Sequence, residues 1–211
     1  MKAERLLVWL LLVRAENTYI YFAKAATHTR RPLNVSVMPE ERILDIRLLK
    51  SDDSIEELTD LIHLAYRQLA DLGFQYWGAH QTVADTKKRI SRGECYIIKK
   101  AGQIIGTITL NLPNKTYPHP WYDRPKVTTF HQFAVNPSYQ KQGLGTRLMD
   151  LIEKRALELG ALELACDTAI CAIHLIELYK KRGYRKVGEA DWNLNNFKNL
   201  ILSKTLKLLK A

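Results

Sequence analysis

The sequence predicts a mixed α/β fold whose elements follow the order β-α-α-β-β-β-α-β-α-β-β. Short runs rich in β-branched residues predict the strands, and longer segments with apolar residues at helical spacing predict the helices. Each of the four helical segments is followed by a glycine, the residue that most often ends a helix. With 211 residues, of which 46% are hydrophobic, the chain is long enough for one domain with an appendage.

The first three elements are one strand and two helices. An alternating apolar pattern predicts the strand over residues 42–49. Ser54 then has the character of a helix N-cap, and Glu57 follows it at the spacing of a capping box. Apolar residues at helical spacing extend this helix over 55–72, and a second, more polar helix is predicted over 83–92.

Three strands are predicted next, in the middle of the sheet. Residues 94–99 and 103–111 are apolar runs on either side of the sequence KKAG, which is typical of a hairpin turn. The prolines and aromatic residues of LPNKTYPHPWYDRP then predict a long loop. A third apolar run over 126–135 is predicted to be the strand that follows this loop.

The last five elements alternate between helices and strands. Residues 145–159 carry an apolar stripe at helical spacing, which predicts an amphipathic helix. A strand is predicted over 161–168 and a helix over 172–182. The runs over 184–192 and 200–207 are predicted to be the closing strands of the sheet.

Residues 1–40 are interpreted as an extension that precedes a domain over 41–211, because Pro32 and Pro39 interrupt any periodic pattern between them. The extension contains an apolar run over 6–13, much shorter than the roughly 18 residues that cross a membrane. A signal peptide would need a small-residue cleavage site soon after this run, and the sequence RAEN does not supply one. We therefore expect no membrane anchor, and interpret the extension as a flexible segment or the product of a non-native start.

The charge and the cysteines restrict the partners and the compartment. The chain has 32 lysines and arginines against 22 acidic residues, a formal charge of +10 that favours an anionic partner. The basic residues are scattered rather than clustered among aromatic residues, so we expect no nucleic-acid binding. Cys95, Cys166 and Cys171 are odd in number and lack zinc-site spacing, which predicts reduced thiols, no metal and a cytoplasmic location.

A glycine-containing loop, QKQGLGT, lies between a predicted strand and a predicted helix. Its residues are Gln140, Lys141, Gln142, Gly143, Leu144, Gly145 and Thr146. The first N–H groups of a helix have no intrahelical partner, and glycine lets a ligand approach the backbone closely. The loop therefore predicts a phosphate cradle. It matches neither the nucleoside-triphosphate P-loop nor the dinucleotide motif, whose third glycine position is occupied by Leu148.

The pattern that this loop matches is Q/R-x-x-G-x-G/A. A preceding FAVNP, a following amphipathic helix and the later sequence LYKKRGY, which contains Tyr179, occur in the same order as in the GCN5-related N-acetyltransferases. The chain resembles this GNAT family over residues 42–207. The resemblance implies a GNAT-type mixed sheet whose two central strands splay apart.

The resemblance also implies a ligand and a reaction. The loop would hold the pyrophosphate of acetyl-CoA, and the pantetheine arm would lie along Phe133, Ala134 and Val135, with hydrogen bonds to the backbone of the first and the last. The acetyl group would pass directly to a primary amine of a small molecule or peptide. Family members are often homodimers. The alternative function is a non-catalytic module that binds acyl-CoA as a sensor.

Two side chains are the candidate catalytic residues. Tyr179 matches the tyrosine that the family places near the leaving thiolate, where a phenol with a pKa of about 10 can donate a proton to sulfur. His131 matches a histidine of the family's arylalkylamine acetyltransferases, and its ordinary pKa of about 6.5 suits a general base. Period-two spacing places His131 on one strand face with Phe133 and Val135. The N–H of Val135 is the candidate oxyanion donor.

One position departs from the family pattern, and one region is the candidate acceptor pocket. Ala172 stands where many members carry an asparagine that contacts pantetheine, and its neighbour Cys171 is a less favoured candidate nucleophile. The pocket is expected to form from the first two helices, their connection DLGFQYWGAHQT and the loop YPHPWYDRP, which supply aromatic surface. Asp123 is its candidate ligand for an ammonium group, and His119 is a second candidate base.

Overall fold

The computed structural model of the chain describes residues 10–15, 18–23, 37–39, 44–71, 73–112, 115, 117–192 and 196–207. The chain forms two compact units. The smaller unit comprises residues 1–45 together with 100–103, and the larger one comprises 46–99 together with 104–211.

The smaller unit contains a three-stranded sheet that the sequence patterns did not predict. Its strands are β1 (Leu10–Ala15), β2 (Thr18–Ala23) and β3 (Val37–Pro39). They pair in the order β1-β2-β3, and both pairs are antiparallel. The second half of the apolar run over 6–13 therefore lies in a strand, and the first half lies outside the described residues.

The second sheet has seven strands and confirms the predicted order of elements. Its strands are β4 (Asp45–Leu48), β5 (Gly93–Lys100), β6 (Gln103–Asn111), β7 (Val127–Val135), β8 (Glu163–Ala169), β9 (Arg185–Ala190) and β10 (Asn199–Thr205). They are hydrogen-bonded in the order β4-β5-β6-β7-β8-β10-β9. The helices are α1 (Ile55–Ala70), α2 (Val83–Ile90), α3 (Leu144–Glu158) and α4 (Ile173–Lys181).

The starts of the first two helices follow the sequence signals. The side chain of Ser54 accepts a hydrogen bond of 3.0 Å from the backbone N–H of Glu57, which confirms the predicted cap of α1. At α2, Thr82 and Asp85 form a reciprocal capping box. The buried face of α1, which includes Leu58 and Ile62, packs in one apolar cluster with side chains of β5, β6 and β7.

The parallel pair β7 and β8 separates after a short contact. The two strands pair only from Val127 opposite Glu163 to Thr129 opposite Ala165. Beyond Thr129 the two strands continue without further pairing, which confirms the predicted splay of the central strands. A cavity lies at this opening.

A buried carboxylate fixes the connection between β4 and α1. Asp53 accepts hydrogen bonds from both Nη atoms of Arg47, at 2.6 and 2.9 Å, and from Nζ of Lys99 at 3.1 Å. The Arg47 guanidinium, with help from the backbone N–H of Lys50 and from Lys99, holds the pKa of Asp53 well below its usual range despite burial. Asp53 is therefore a carboxylate in the folded protein at neutral pH, and its charge stabilises the connection between β4 and α1.

None of the described helices combines the length and the apolar character that crossing a bilayer requires.

Candidate active site

A cavity of about 290 Å³ lies beside the splayed ends of β7 and β8. It is formed by α1, α2, α4, the two splayed strands and the loops around Trp77, Tyr117 and Trp192. Its wall is largely aromatic, with side chains of Tyr66, Tyr76, Trp77, Tyr117, Tyr122, Phe130, Phe133, Tyr179, Trp192 and Phe197. Such a cavity, apolar with a few polar groups, is typical of a small-molecule site.

The loop Gln140–Thr146 leads into α3, and its geometry depends on glycine. Gly143 is the N-cap residue of α3 with φ of +79°, and it offers no side chain to cap the helix. Among the residues that the structure describes, the first-turn N–H groups of Leu144, Gly145 and Thr146 therefore have neither an intrahelical nor a capping partner. They form a donor cluster at the positive end of the helix dipole, where an anion binds favourably.

The side chains of the loop shape this cluster without filling it. Gln140 donates from Nε2 to the carbonyl of Val135 at 3.1 Å, and Gln142 donates from Nε2 to the carbonyl of Ser138 at 3.3 Å. Lys141 is exposed and adopts a φ of +60°, so its charge lies at the surface of the loop. The residues present therefore fit a pyrophosphate group.

Gly145 is needed for a different reason, which is close packing. A β-carbon at this position would lie 3.1 Å from Cζ of Phe133, closer than nine in ten real contacts of a β-carbon, so the phenyl ring would have to shift. This approach ties the first turn of α3 to the splayed end of β7. It brings the phosphate cradle next to the predicted pantetheine strand.

The three predicted pantetheine positions lie at the end of β7. Tyr66 directs its hydroxyl at the carbonyl of Phe133, 3.5 Å away, and Gln140 already donates to the carbonyl of Val135. Ala134 is buried and packs with the α1 cluster. The side chain of Ala134 thus belongs to the core, and the backbone of its two neighbours remains the surface on which a pantetheine arm could bind.

Tyr179 lines the cavity from α4. Its side chain is buried, and its ring packs against Phe130 and Tyr184 at centroid distances of 5.9 and 5.6 Å. Burial raises the pKa of Tyr179 well above 10, and the nearby Cys166 and Tyr66 act in the same direction. The phenol is therefore fully protonated at neutral pH and can act as a proton donor.

His131 lines the cavity from β7. Both ring nitrogens are buried, and neither has a hydrogen-bond partner among the residues that the structure describes. Burial lowers the pKa of His131 well below 6.5, and the positive charges of Arg89 and Arg92 lower it further. The imidazole is neutral at pH 7 and can accept a proton from a group that enters the cavity.

The predicted alternation of β7 side chains is corrected by a β-bulge. Between Thr107 and Thr109 of β6, the pairing partners in β7 change from Ala134 to His131, so β7 contains one extra residue. Gln132 occupies the bulge with a φ of +52°. The extra residue breaks the period of two, so His131 and Phe133 do not share a strand face by simple alternation.

Two arginines near the cavity were not recognised in the sequence. Arg89 donates from Nη1 to Oε1 of Gln81 at 3.3 Å, and its guanidinium lies 5.2 Å from the ring centre of Trp77. The guanidinium of Arg92 lies over the ring of Tyr117 at 3.9 Å. In the described part of the chain, neither has a carboxylate within salt-bridge distance. Buried Nε of Arg89 and Nη1 of Arg92 also lack hydrogen-bond partners there.

The acidic residue of the cavity is Asp167, not Asp123. Asp123 is exposed and lies outside the cavity wall, which corrects the sequence expectation. Asp167 accepts hydrogen bonds on Oδ2 from Nδ2 of Asn199 at 2.5 Å and from Nε1 of Trp192 at 3.0 Å. Its Oδ1 accepts none from the residues that the structure describes, so it is available to an ammonium group.

The remaining candidates lie outside the cavity wall. Ala172 is buried at the N-cap of α4 and makes no side-chain cap. It therefore cannot supply the side-chain amide with which many family members contact pantetheine. Cys171 is a free, partly buried thiol next to it. His119 packs against Tyr122 and Trp192, and its Nδ1 accepts a hydrogen bond from the N–H of Trp121. These contacts give His119 a structural role in the loop.

Comparisons with known proteins agree with this geometry. The sequence model of the Acetyltransferase (GNAT) family matches residues 56–184. The chain is 35% identical over 138 residues to the S-(2-succino)cysteine N-acetyltransferase of Bacillus subtilis (strain 168), a match that covers 64% of this chain and 81% of that protein. It is 25% identical over 157 residues to the S-alkylcysteine N-acetyltransferase of the same organism, covering 70% and 82%.

Solved structures share the fold. A protein of Pyrococcus horikoshii OT3 matches with a TM-score of 0.63 and 20% identity over 79% of this chain and all 100% of that chain. A GNAT family acetyltransferase from Elizabethkingia anophelis with acetyl-CoA bound matches with a TM-score of 0.56 and 19% identity, covering 77% and 98%. The family match, the curated relatives and the cradle beside a splayed sheet lead to one conclusion: this chain belongs to the GNAT family and is an acetyl-CoA-dependent N-acetyltransferase.

Proposed function

We propose that the acceptor is the α-amino group of a free S-substituted cysteine. The observation that carries this proposal is that two relatives, one of them 35% identical, are N-acetyltransferases of S-substituted cysteines. The cavity supports it, because its volume of about 290 Å³ is at the small end for a ligand pocket and suits an amino acid. Its aromatic wall suits a thioether, and the free Oδ1 of Asp167 suits the ammonium group.

In this proposal the loop Gln140–Thr146 binds the pyrophosphate through its backbone N–H groups. Phe133, Ala134 and Val135 border the pantetheine arm. Acetyl-CoA supplies the acetyl group as a thioester. The N–H of Val135 is the proposed donor to the negative charge that develops on the acetyl oxygen, since a preorganised amide does not have to reorganise during the reaction.

Two proton transfers complete the proposal. His131, which is neutral at pH 7, accepts a proton from the ammonium form of the acceptor or from the attacking amine. Tyr179, which is held protonated by burial, donates a proton to the departing sulfur. The two residues lie on different elements, β7 and α4, and both line the cavity, so a bound acceptor can meet both side chains.

The test compares free and peptide-bound forms of one amine. Initial rates of CoA release are measured with free S-propylcysteine and with a short peptide that begins with S-propylcysteine. The proposal predicts that the free amino acid has the higher kcat/KM, because the cavity is small and the carboxylate of the free acid contributes to binding. A higher kcat/KM for the peptide would refute a free amino acid as the acceptor.

Three further features remain predictions from the sequence. They are a cytoplasmic location, a homodimer and a domain boundary near residue 40. Cell fractionation tests the first, and light scattering coupled to size exclusion tests the second. The family match over 56–184 lies inside the predicted domain over 41–211 but does not locate its boundary.

A further inference from the structure

Arg89 lines the cavity, and Arg92 packs on the lining residue Tyr117. Their two positive charges have no carboxylate within salt-bridge distance among the residues that the structure describes. Arg89 follows buried Thr86 by three residues on α2, and Arg92 lies just beyond the end of that helix, where its N–H donates to the carbonyl of Arg89 at 3.2 Å. Both charges act on His131, so both guanidinium groups lie near the cavity wall. Within the described ranges, neither group makes an ion pair.

Each guanidinium lies over an aromatic ring and keeps a nitrogen without a hydrogen-bond partner among the described residues. Arg89 lies over Trp77, and Arg92 lies over Tyr117; both rings line the cavity. An aromatic ring occupies the flat face of a guanidinium, whereas a carboxylate binds in its plane through the N–H groups. The buried N–H groups that lack described partners are at Nε of Arg89 and Nη1 of Arg92, on these edges.

Gln81 keeps Arg89 in this orientation. Its Oε1 accepts from Nη1 of Arg89, while its Nε2 donates to Oγ1 of Thr86 at 2.7 Å. The carbonyl of Gln81 also contacts Nε2 of His63 at 2.8 Å. This buried network fixes the guanidinium before a ligand arrives, so little conformational freedom is lost on binding.

The charge count indicates what the two arginines bind. The α-carboxylate is common to every S-substituted cysteine, whereas an acidic S-substituent adds anions of its own. The 2-succino group adds two carboxylates, one for each arginine. The phosphate cradle at Gln140–Thr146 does not line this cavity, so the arginines are not part of it. On the basis of the proposed function, we propose that Arg89 and Arg92 form a carboxylate subsite that selects acceptors with an acidic group on the sulfur substituent.

The experiment measures a ratio of specificities. The kcat/KM for S-(2-succino)cysteine is divided by that for S-propylcysteine in wild type, Arg89→Gln and Arg92→Gln. Lys88→Gln is the matched control, because it removes an exposed positive charge from the same helix. We expect the ratio to favour the acidic substrate in wild type, and to fall on the order of 10- to 100-fold in each arginine variant. It should stay within about twofold in the control.

Equal losses for both substrates would overturn the proposal, since they would mean that the arginines bind only the α-carboxylate. An unchanged ratio would overturn it as well. Thermal unfolding of each variant shows whether the fold is retained. If one arginine variant does not fold, the other still tests the proposal.

If wild type acetylates neither substrate, the proposed acceptor is wrong, and the subsite is judged by binding alone. Succinate is then titrated calorimetrically into the CoA-saturated protein. Binding by wild type and Lys88→Gln, but not by Arg89→Gln, would support the carboxylate subsite. No binding of succinate by wild type would overturn it.

Discussion

Gly143 and Gly160 give a matched pair of substitutions at the two ends of α3. Gly143 has a φ of +79° and Gly160 a φ of +81°, and a β-carbon at either position meets no atom within 4 Å. The left-handed conformation costs an L-residue about 1–2 kcal/mol, partly offset by about 0.4–1 kcal/mol from the stiffer unfolded chain. We therefore expect Gly143→Ala and Gly160→Ala to destabilise the protein equally, by about 1 kcal/mol, or roughly 2–4 °C in Tm.

The two variants should differ in CoA binding. Only Gly143 must hold its left-handed φ to present the N–H groups of the α3 N-terminus to pyrophosphate. When alanine keeps this conformation, its methyl group lies beside the N–H groups that a pyrophosphate must approach, and a cost of about 1 kcal/mol in binding weakens the Kd about fivefold. Calorimetric titration with CoA measures this change. Equal CoA affinities in the two variants, or unequal losses of stability, would refute the reasoning.

Three other substitutions test the site and the fold. Tyr179→Phe should lower kcat on the order of 10- to 100-fold and leave the Kd of acetyl-CoA within about twofold; an unchanged kcat would remove the phenol as the proton donor. Arg89→Gln removes a positive charge that depresses the pKa of His131, so the acidic limb of the kcat/KM profile for S-propylcysteine should move to higher pH; an unmoved limb would mean that His131 is not the base. Asp53→Asn should destabilise the protein by about 3 kcal/mol in urea unfolding at pH 7. Because the pKa of Asp53 is depressed in the folded state, the difference in the free energy of unfolding between wild type and Asp53→Asn should be largest above the unfolded pKa of about 3.9. This difference should shrink as the pH falls further. A difference that does not change with pH would contradict the ion pair with Arg47.

Periodicity and glycines were sufficient to predict the order of the elements in the seven-stranded sheet. The predicted strand over 103–111 coincides with β6, and the helix predicted over 145–159 was observed as Leu144–Glu158. These signals are local, because each element buries one face and ends at a residue with special backbone freedom. The splay of β7 from β8 is a property of two strands far apart in sequence, and it came from the family resemblance.

The bulge at Gln132 had no signature in the sequence. Glutamine rarely adopts a positive φ, and the run TTFHQFAV predicts a strand without interruption. The prediction that His131 shares a strand face with Phe133 and Val135 was therefore wrong. His131 nevertheless lines the cavity. One inserted residue changes the direction of every side chain beyond it.

Arg89, Arg92 and Asp167 were missed because their roles depend on packing between elements. Arg89 lies on a polar helix, where the only available signal was its spacing of three from Thr86, a residue that proved to be fully buried. Asp167 lies in a predicted strand, and its partners Trp192 and Asn199 come from the last quarter of the chain. A sequence pattern cannot show which distant segments bring such groups together.

The most direct test of the account is to identify the product formed from acetyl-CoA and S-(2-succino)cysteine. The purified chain is mixed with both, CoA release is followed, and the product is analysed by mass spectrometry, with Gly143→Glu as the variant that places a carboxylate in the phosphate cradle. The account predicts one N-acetylated product per CoA released by wild type, and loss of both in the variant because acetyl-CoA no longer binds. Tight binding of acetyl-CoA by wild type without acetylation of this or any other amine would contradict it, and would indicate a sensor instead of an enzyme.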